Sequence, residues 1–155
     1  MLQKIILILS CYFAISCAGP PPANHIRASG LSPTRIILKN AQSQYVRLNA
    51  KPPYYLIADA ELTKADTFYF CNLGRNLVAL KARDHYVTIY LPLKNQAILR
   101  QNYIDVWEKL TLEKHGHLIS LKGCNNLYLQ PTDGNILTAS SAILTDACLF
   151  QMIEL

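Results

Sequence analysis

The sequence predicts an all-β fold built from three copies of one four-stranded unit. The main observation is a phrase that occurs three times, as TRIILKNAQSQYVRL from Thr34, NLVALKARDHYVTIY from Asn76 and GHLISLKGCNNLYLQ from Gly116. In each copy apolar residues alternate with polar ones, which is the pattern of a half-buried strand. Helical periodicity is missing from the rest of the chain after residue 33, and turn-forming residues separate the apolar segments.

Several landmarks recur in each copy at nearly constant spacing. A leucine followed by a lysine marks the first strand, and a tyrosine opens the second: Leu38, Leu80 and Leu121; Lys39, Lys81 and Lys122; Tyr45, Tyr86 and Tyr128. The third and fourth strands are marked by further triplets: Leu56, Ile98 and Leu137; Phe68, Leu110 and Phe150; Phe70, Leu112 and Met152. This repetition predicts twelve strands in three four-stranded repeats with pseudo-threefold symmetry.

Turn chemistry separates the strands within each repeat. In the third repeat the turns are KGCNN and TDGN, and Asp133-Gly134 is a strong hairpin signal. The equivalent hairpin turns of the first two repeats are KPP at 51–53 and PLKN at 92–95.

One four-stranded unit cannot cover its own apolar face. Three units around an axis close a barrel and leave no edge strand exposed. The expected fold is therefore a β-trefoil over 34–155, with repeats at about 34–74, 75–115 and 116–155. The landmark leucines are predicted to form one core layer, and the residues that open the fourth strands another.

The same counting predicts a further core layer from Ala65, Trp107 and Cys148. One large side chain beside two small ones keeps the volume of such a layer constant, as close packing requires. This assignment makes Trp107 and Cys148 core residues rather than a ligand platform and a reactive thiol.

The chain opens with the features of an export signal. A positive residue precedes an apolar run from Ile5 to Ile15, which suits a signal peptide but is too short for a bilayer span of about 20 residues. Two interpretations stay open: an ordinary signal peptide over 1–18, or a lipoprotein signal over 1–16, in which AISC resembles a lipobox and Cys17 is lipidated.

Residues 19–33 are rich in Pro, Gly, Ala and Ser and are predicted to be a linker. The expected location is outside the cytoplasm, either membrane-anchored as a lipoprotein or secreted or periplasmic. A membrane is expected to be a partner only through the lipid anchor.

Composition argues against several classes of protein. The formal charge of +5 comes from scattered Lys and Arg residues, so no nucleic-acid partner is expected. Cys71, Cys124 and Cys148 are odd in number and form no Cys-x-x-Cys pair, so neither a disulfide framework nor structural zinc is indicated. His115-Gly116-His117 has no evident further ligand. We therefore expect no metal and no other cofactor.

Catalysis is not expected either, because the sequence contains no recognisable nucleophile–base motif. The candidate ligand surface consists of aromatic and polar residues in or near the predicted turns: Tyr54, Tyr55, His85, Lys94, Asn125, Asn126 and Asp133.

The segments LVALKA, YV, AILRQN and WEKLTLEK resemble the fascin-like repeat of the β-trefoil class, and the likeness recurs over 34–155. The pairs before the tyrosines depart from that pattern, since the Gly-Lys common there is replaced by Ser43-Gln44, Asp84-His85 and Asn126-Leu127. Fascins crosslink actin with four trefoils in one chain, so that activity is not carried over to a single trefoil.

The resemblance implies a non-catalytic binding or adhesion module whose partner is a protein outside the cytoplasm. The alternative is a carbohydrate-binding, lectin-like trefoil with a glycan partner. The Gln-x-Trp motif of ricin-type lectins is missing, because the sole tryptophan lies in Asp105-Val106-Trp107.

Overall fold

The computed structural model describes residues 33–155. The predicted signal segment, including Cys17, and the predicted linker up to residue 32 lie outside the described residues. Within the described part of the chain, no helix is long and apolar enough to cross a membrane.

Twelve strands form one antiparallel sheet system. They are β1 (Thr34–Asn40), β2 (Tyr45–Leu48), β3 (Tyr54–Ala60), β4 (Phe68–Gly74), β5 (Leu77–Ala82), β6 (His85–Tyr90), β7 (Gln96–Gln101), β8 (Leu110–His115), β9 (Leu118–Lys122), β10 (Tyr128–Pro131), β11 (Leu137–Ser141) and β12 (Phe150–Glu154). The helical elements in 33–155 are short 3₁₀ turns: Leu62–Lys64, Leu91–Leu93, Val106–Glu108, Asp133–Asn135 and Asp146–Cys148.

The first and last strands of the three repeats form a closed barrel. Around the barrel each strand pairs with the next in the order β1, β4, β5, β8, β9 and β12, and β12 returns to β1. The closing pair runs in register from Ile36↔Glu154 to Asn40↔Phe150. The barrel therefore has no unpaired edge.

The middle strands of each repeat form hairpins that cap one end of this barrel. The hairpins are β2–β3, β6–β7 and β10–β11. They also pair with one another, through Tyr55↔Ile98 and Thr138↔Gln96. The arrangement is the β-trefoil that the sequence predicts.

Two of the three predicted core layers are confirmed. The landmark leucines and the residues that open the fourth strands are at most 1% exposed: Leu38, Leu80 and Leu121, and Phe68, Leu110 and Phe150. They belong to one apolar cluster that fills the barrel. Equal spacing in the three repeats is what allows side chains of similar size to meet around the axis.

The repeated lysine has a structural partner in every repeat. Lys39, Lys81 and Lys122 lie opposite Tyr45, Tyr86 and Tyr128 on the neighbouring strand. Their ammonium groups lie 5.8, 5.9 and 4.3 Å from the centres of those rings. Cation–π attraction of this kind contributes about 0.5–1 kcal/mol at exposed sites, so the lysine–tyrosine pair helps to fix each first turn.

The assignment of Trp107 to a buried layer is wrong, whereas Cys148 is fully buried as predicted. In the second and third repeats the residue two positions before the closing strand is buried, and these residues are Glu108, at 1% exposure, and Cys148. Glu108 accepts a hydrogen bond from the Thr88 hydroxyl (2.7 Å) and one from the Asp105 backbone N–H (3.0 Å). Trp107 is therefore turned towards the surface and is half-buried.

The landmark of the second hairpin is also displaced by one residue. Leu48↔Leu56 in the first hairpin corresponds to Ile89↔Ala97 in the second. Ala97, rather than Ile98, therefore belongs to the barrel cluster. Ile98 is buried on the other face of the hairpin, where it pairs with Tyr55.

Truncating a leucine of the first core layer is expected to destabilise the fold. Leu38→Ala, Leu80→Ala and Leu121→Ala should each lower the free energy of unfolding by about 2–5 kcal/mol, because each removes fully buried methyl groups. Lys39→Ala, one residue from Leu38, is the matched control and should change it by about 0.5 kcal/mol or less. Urea denaturation of the four variants measures the difference. Equal effects of Leu38→Ala and Lys39→Ala would contradict the observed strand phase.

Candidate ligand-binding site at the open end of the barrel

Among residues 33–155, nothing covers the end of the barrel opposite the hairpin cap, and a depression of about 390 Å³ lies there. Its floor contains three equivalent apolar residues from the closing strands: Phe70, Leu112 and Met152. Ile36 and Val78 lie beneath them as part of the core. Ligand pockets usually measure about 300–1,000 Å³ and are largely apolar. We call this depression the barrel mouth.

The rim of the barrel mouth is polar. Two residues beyond the floor, the same three strands carry Asn72, Lys114 and Glu154 at equivalent positions. Three further polar residues complete the rim: Thr34, Arg75 and Asn76. The three repeats thus place equivalent apolar side chains in the floor. Above the floor they place three different groups: an amide, an ammonium and a carboxylate.

The turn between β4 and β5 holds part of this rim in place. Gly74, Arg75 and Asn76 all have positive φ angles (84°, 51° and 61°), which gives the tight reversal between the strands. The Gly74 N–H donates to the Asn72 side-chain oxygen (2.9 Å), and the Leu112 N–H donates to the Asn76 carbonyl (2.8 Å). Arg75 is therefore fixed beside β8.

The charged groups of the rim have no partner among the side chains and backbone of the described residues. Within residues 33–155, the side chains of Arg75, Lys114 and Glu154 form no ion pair and no hydrogen bond. Their hydrogen-bonding groups are thus available to solvent or to a ligand. An apolar floor with a few convergent polar groups is the usual composition of a small-molecule site.

A second exposed feature lies on the outer face of the β6–β7 hairpin. The Tyr90 and Trp107 rings meet edge to face, with centroids 5.9 Å apart and planes at 65°. The Arg100 guanidinium lies 4.5 Å from the Tyr90 ring centre. We call these three residues the aromatic patch.

The residues predicted from the turns lie elsewhere, and none of the seven lines the barrel mouth. Tyr54 and Tyr55 are on β3, and the Tyr54 ring lies 5.0 Å from the Arg83 guanidinium. His85 contacts the carbonyl of the same arginine through Nδ1 (2.9 Å). The structure thus brings Tyr54 and His85 to one edge.

The remaining four predicted residues are distributed over three loops. Lys94 lies in the β6–β7 loop and Asp133 at the tip of the β10–β11 hairpin, and both are exposed. Asn126 is exposed in the β9–β10 turn. Asn125 in the same turn holds it to the hairpin cap, because its amide donates to the Ala139 carbonyl (3.0 Å).

The sequence did contain a signal for the barrel mouth. Phe70, Leu112 and Met152 recur as apolar landmarks, so they were recognisable as one ring. The polar residues two positions further on, Lys114 and Glu154 among them, break the repetition. Such a break at the end of three equivalent strands marks residues that the framework does not require.

A network of polar side chains lies on the outer face of β8, β9 and β10. The Glu113 carboxylate pairs with the Lys122 ammonium (2.8 Å) and accepts a hydrogen bond from the Tyr128 hydroxyl (2.8 Å). These two contacts, that of Lys122 first, hold the pKa of Glu113 below its ordinary value. The same carboxylate is the main reason that the pKa of Lys122 is raised.

His115 and Ser120 belong to this network but do not form a catalytic arrangement. His115 Nε2 lies 2.9 Å from the Ser120 hydroxyl, and Glu113 approaches that same nitrogen at 3.9 Å. A hydrolytic triad needs the carboxylate on the other ring nitrogen. Ser120 is moreover fully buried. Among residues 33–155, no group of three or more His, Cys, Asp or Glu side chains is placed to hold a metal ion.

Comparison with known proteins shows the fold but no family. No protein-family model matches the sequence, and no curated protein matches it significantly. The designed threefold-symmetric protein ThreeFoil has a similar structure, with a TM-score of 0.68 and 12% identity over 78% of this chain and 99% of ThreeFoil. SeviL, solved with the asialo-GM1 saccharide, gives a TM-score of 0.61 and 10% identity over 79% of this chain and 98% of SeviL.

The Polyporus squamosus lectin, solved with the epitope Neu5Acα2-6Galβ1-4GlcNAc, gives a TM-score of 0.63 and 9% identity. That alignment covers 80% of this chain and 50% of the lectin. Identities this low support the β-trefoil fold alone. The resemblance to fascin-like repeats stays a prediction.

Two glutamates should respond to pH in opposite directions. Burial raises the pKa of Glu108 above its ordinary value of 4.5, although its hydrogen bonds from Thr88 and Asp105 oppose this. The stability that Glu108 contributes is therefore complete below about pH 4.5 and is lost as the pH rises through the folded-state pKa. Glu108→Gln should gain stability relative to the natural chain between about pH 4.5 and 7.

Glu113→Gln is the matched variant of opposite sign. The pKa of Glu113 is lowered, so its contribution is present above about pH 4.5 and is lost as the pH falls through the folded-state pKa. The destabilisation by Glu113→Gln should accordingly shrink below about pH 4.5. Urea denaturation between about pH 3 and 7 tests both variants, and parallel stability–pH curves for the two would refute the assignment.

Proposed function

We propose that the protein is a non-catalytic carbohydrate-binding module and that the barrel mouth is its binding site. The observation that carries the proposal is an apolar floor, including the aromatic ring of Phe70, below a polar rim whose charged groups have no ion pair or side-chain hydrogen bond within residues 33–155. A sugar ring has the matching chemistry, with apolar C–H faces and a periphery of hydroxyl groups.

The rim chemistry favours a polyhydroxylated ligand over a purely apolar one. Arg75 and Lys114 can only donate hydrogen bonds, Glu154 can only accept them, and amide side chains do both. Hydroxyl groups can satisfy all three kinds of partner because each both donates and accepts. An apolar ligand would bury these groups without replacing their water, which is unfavourable.

The structural neighbours are consistent with this proposal at the level of the fold. SeviL was solved with a saccharide, and the Polyporus squamosus protein is a lectin solved with a glycan epitope. Because one fold serves many functions, the assignment depends on the residues of the barrel mouth and not on the neighbours.

The proposal that the module is non-catalytic is supported by the Glu113 network. In that network the Ser120 side chain is buried, and both its hydroxyl and the Glu113 carboxylate approach the same nitrogen of His115. We further propose that the chain is exported and, in the lipoprotein alternative, tethered through Cys17. The support is the apolar run and the AISC segment of the sequence.

A second candidate function is protein binding, and the aromatic patch favours it. Tyr, Trp and Arg are the residue types enriched at the energetic centres of protein interfaces, and here Tyr90, Arg100 and Trp107 are packed together at the surface. This function predicts stoichiometric binding of an extracellular protein. Arg100→Ala should abolish that binding, and a barrel-mouth variant should retain it.

The carbohydrate proposal predicts that Phe70→Leu weakens glycan binding. The substitution keeps an apolar side chain in the floor but removes the flat ring on which a sugar could stack. We expect a roughly 3- to 10-fold loss of affinity, in line with the 0.5–1.5 kcal/mol attributed to specific aromatic contacts. A glycan array identifies the ligand, and ¹⁵N–¹H NMR titration measures the affinity and locates the perturbed amides.

Arg100→Ala in the aromatic patch is the matched control and should leave glycan affinity unchanged. Shifts of the backbone amides of Leu112 and Asn76 should accompany binding, because these residues line the mouth. Glycan binding that is lost with Arg100→Ala and retained by Phe70→Leu would contradict the site. An array without any specific glycan would contradict the function.

A further inference from the structure

We infer that the barrel mouth selects an acidic sugar, whose carboxylate binds between Arg75 and Lys114. This inference rests on the proposed carbohydrate-binding function and specifies its ligand class. The observation behind it is the uneven distribution of charge around the rim.

The two cations of the rim lie on neighbouring elements, Arg75 in the β4–β5 turn and Lys114 on β8. Leu77↔Thr111 and Val78↔Leu110 pair β5 with β8, and the hydrogen bond from Leu112 to Asn76 continues this pairing towards the mouth. Arg75 follows next on the β5 side, and Lys114 lies two residues beyond Leu112 on β8. Their positive charges therefore belong to one sector of the rim.

The carboxylate of the rim lies in another sector. Glu154 is on β12 opposite Ile36 of β1, and β9 stands between β12 and β8. Asn72, on β4, contributes an uncharged amide at the third equivalent position. The mouth thus has a cationic side formed by the β4–β5 turn and β8 and an anionic side formed by β12.

Within residues 33–155, no acidic group is paired with either of the two cations. Glu113 neighbours Lys114 in sequence, but successive strand residues face opposite sides, and its carboxylate is held by Lys122 and Tyr128 on the outer face. No ion pair within 33–155 involves Arg75 or Lys114. A ligand carboxylate would therefore be their first anionic partner in the described part of the chain.

An acidic sugar can pair with both cations and with the carboxylate of the rim in one orientation. Its carboxylate accepts hydrogen bonds from the guanidinium and the ammonium, and hydrogen bonds between ionised partners are about twice as strong as neutral ones. Its hydroxyl groups donate to Glu154 on the far side. A neutral sugar can also donate its hydroxyl groups to Glu154. Towards the two cations, however, it offers only uncharged hydroxyl oxygens as acceptors.

The test compares pairs of methyl glycosides that differ only at C6: glucoside with glucuronide, and galactoside with galacturonide. NMR titration of the full mature chain should give roughly tenfold tighter binding for the acid of the preferred pair. The difference should shrink at about 1 M salt, where the Debye length falls to about 3 Å.

Charge-neutralising variants locate the effect. Arg75→Gln and Lys114→Gln should each reduce the preference for the acid, while Glu154→Gln should increase it by removing a repulsive charge. Lys51→Gln, at the exposed tip of the β2–β3 hairpin in the cap, is the matched control and should change nothing.

The outcomes separate this inference from the proposed function. Equal affinity for acid and neutral partner, with amide shifts at the mouth, would overturn the acidic selectivity and leave carbohydrate binding in place. An acid preference that Lys51→Gln reduces as much as Lys114→Gln would also overturn it. If no glycoside of either pair shifts the amides of the mouth, the inference fails; if the glycan array shows no specific glycan either, the proposed function fails with it.

Discussion

The whole structure depends on the pairing of the first strand with the last. β1 contacts β12 from Ile36↔Glu154 to Asn40↔Phe150 and β4 from Thr34↔Phe70 to Ile36↔Phe68. Without these pairings, the barrel would have two open edges, and each open edge exposes unpaired N–H and C=O groups. Closure joins residues that are far apart in sequence. It is stabilised by a core in which Leu38, Leu80 and Leu121 meet around one axis.

Closure also determines where the candidate site lies. The hairpins β2–β3, β6–β7 and β10–β11 cover one end of the barrel, so the apolar interior is sealed there. At the other end the strands stop at short turns, and Phe70, Leu112 and Met152 are left only half-buried. The mouth is therefore a consequence of the architecture, whereas the charges on its rim are not.

The fold could be predicted from the sequence because threefold packing forces similar residues to equal spacing. Predictions failed where loop lengths differ between repeats. Counting forward from the first strand assigned Trp107 to the core, whereas counting back from the closing strand leads to Glu108, which is buried. The same cause explains why Ala97, and not the landmark Ile98, belongs to the barrel cluster. A local pattern does not reveal a one-residue shift in a loop.

The candidate site was harder to predict, because its residues are distant in sequence and belong to no motif. Turn residues such as Lys94 and Asp133 were predicted because turns are exposed, but they lie on separate loops. Arg75, Lys114 and Glu154 become neighbours of one depression only through barrel closure. The informative signal in the sequence was a contrast between two sets of positions. The floor positions are apolar in all three repeats, whereas the positions two residues further on differ.

The proposed sugar, bound on the axis, would account for that contrast. Three identical side chains around a threefold axis would offer an asymmetric sugar three equivalent orientations and would fit none of them well. The floor tolerates equivalence because C–H faces make non-directional contacts. Hydrogen bonds are directional, so the rim must differ from repeat to repeat to favour one orientation. Asn72, Lys114 and Glu154 meet that requirement, with an amide, a cation and an anion at three equivalent positions.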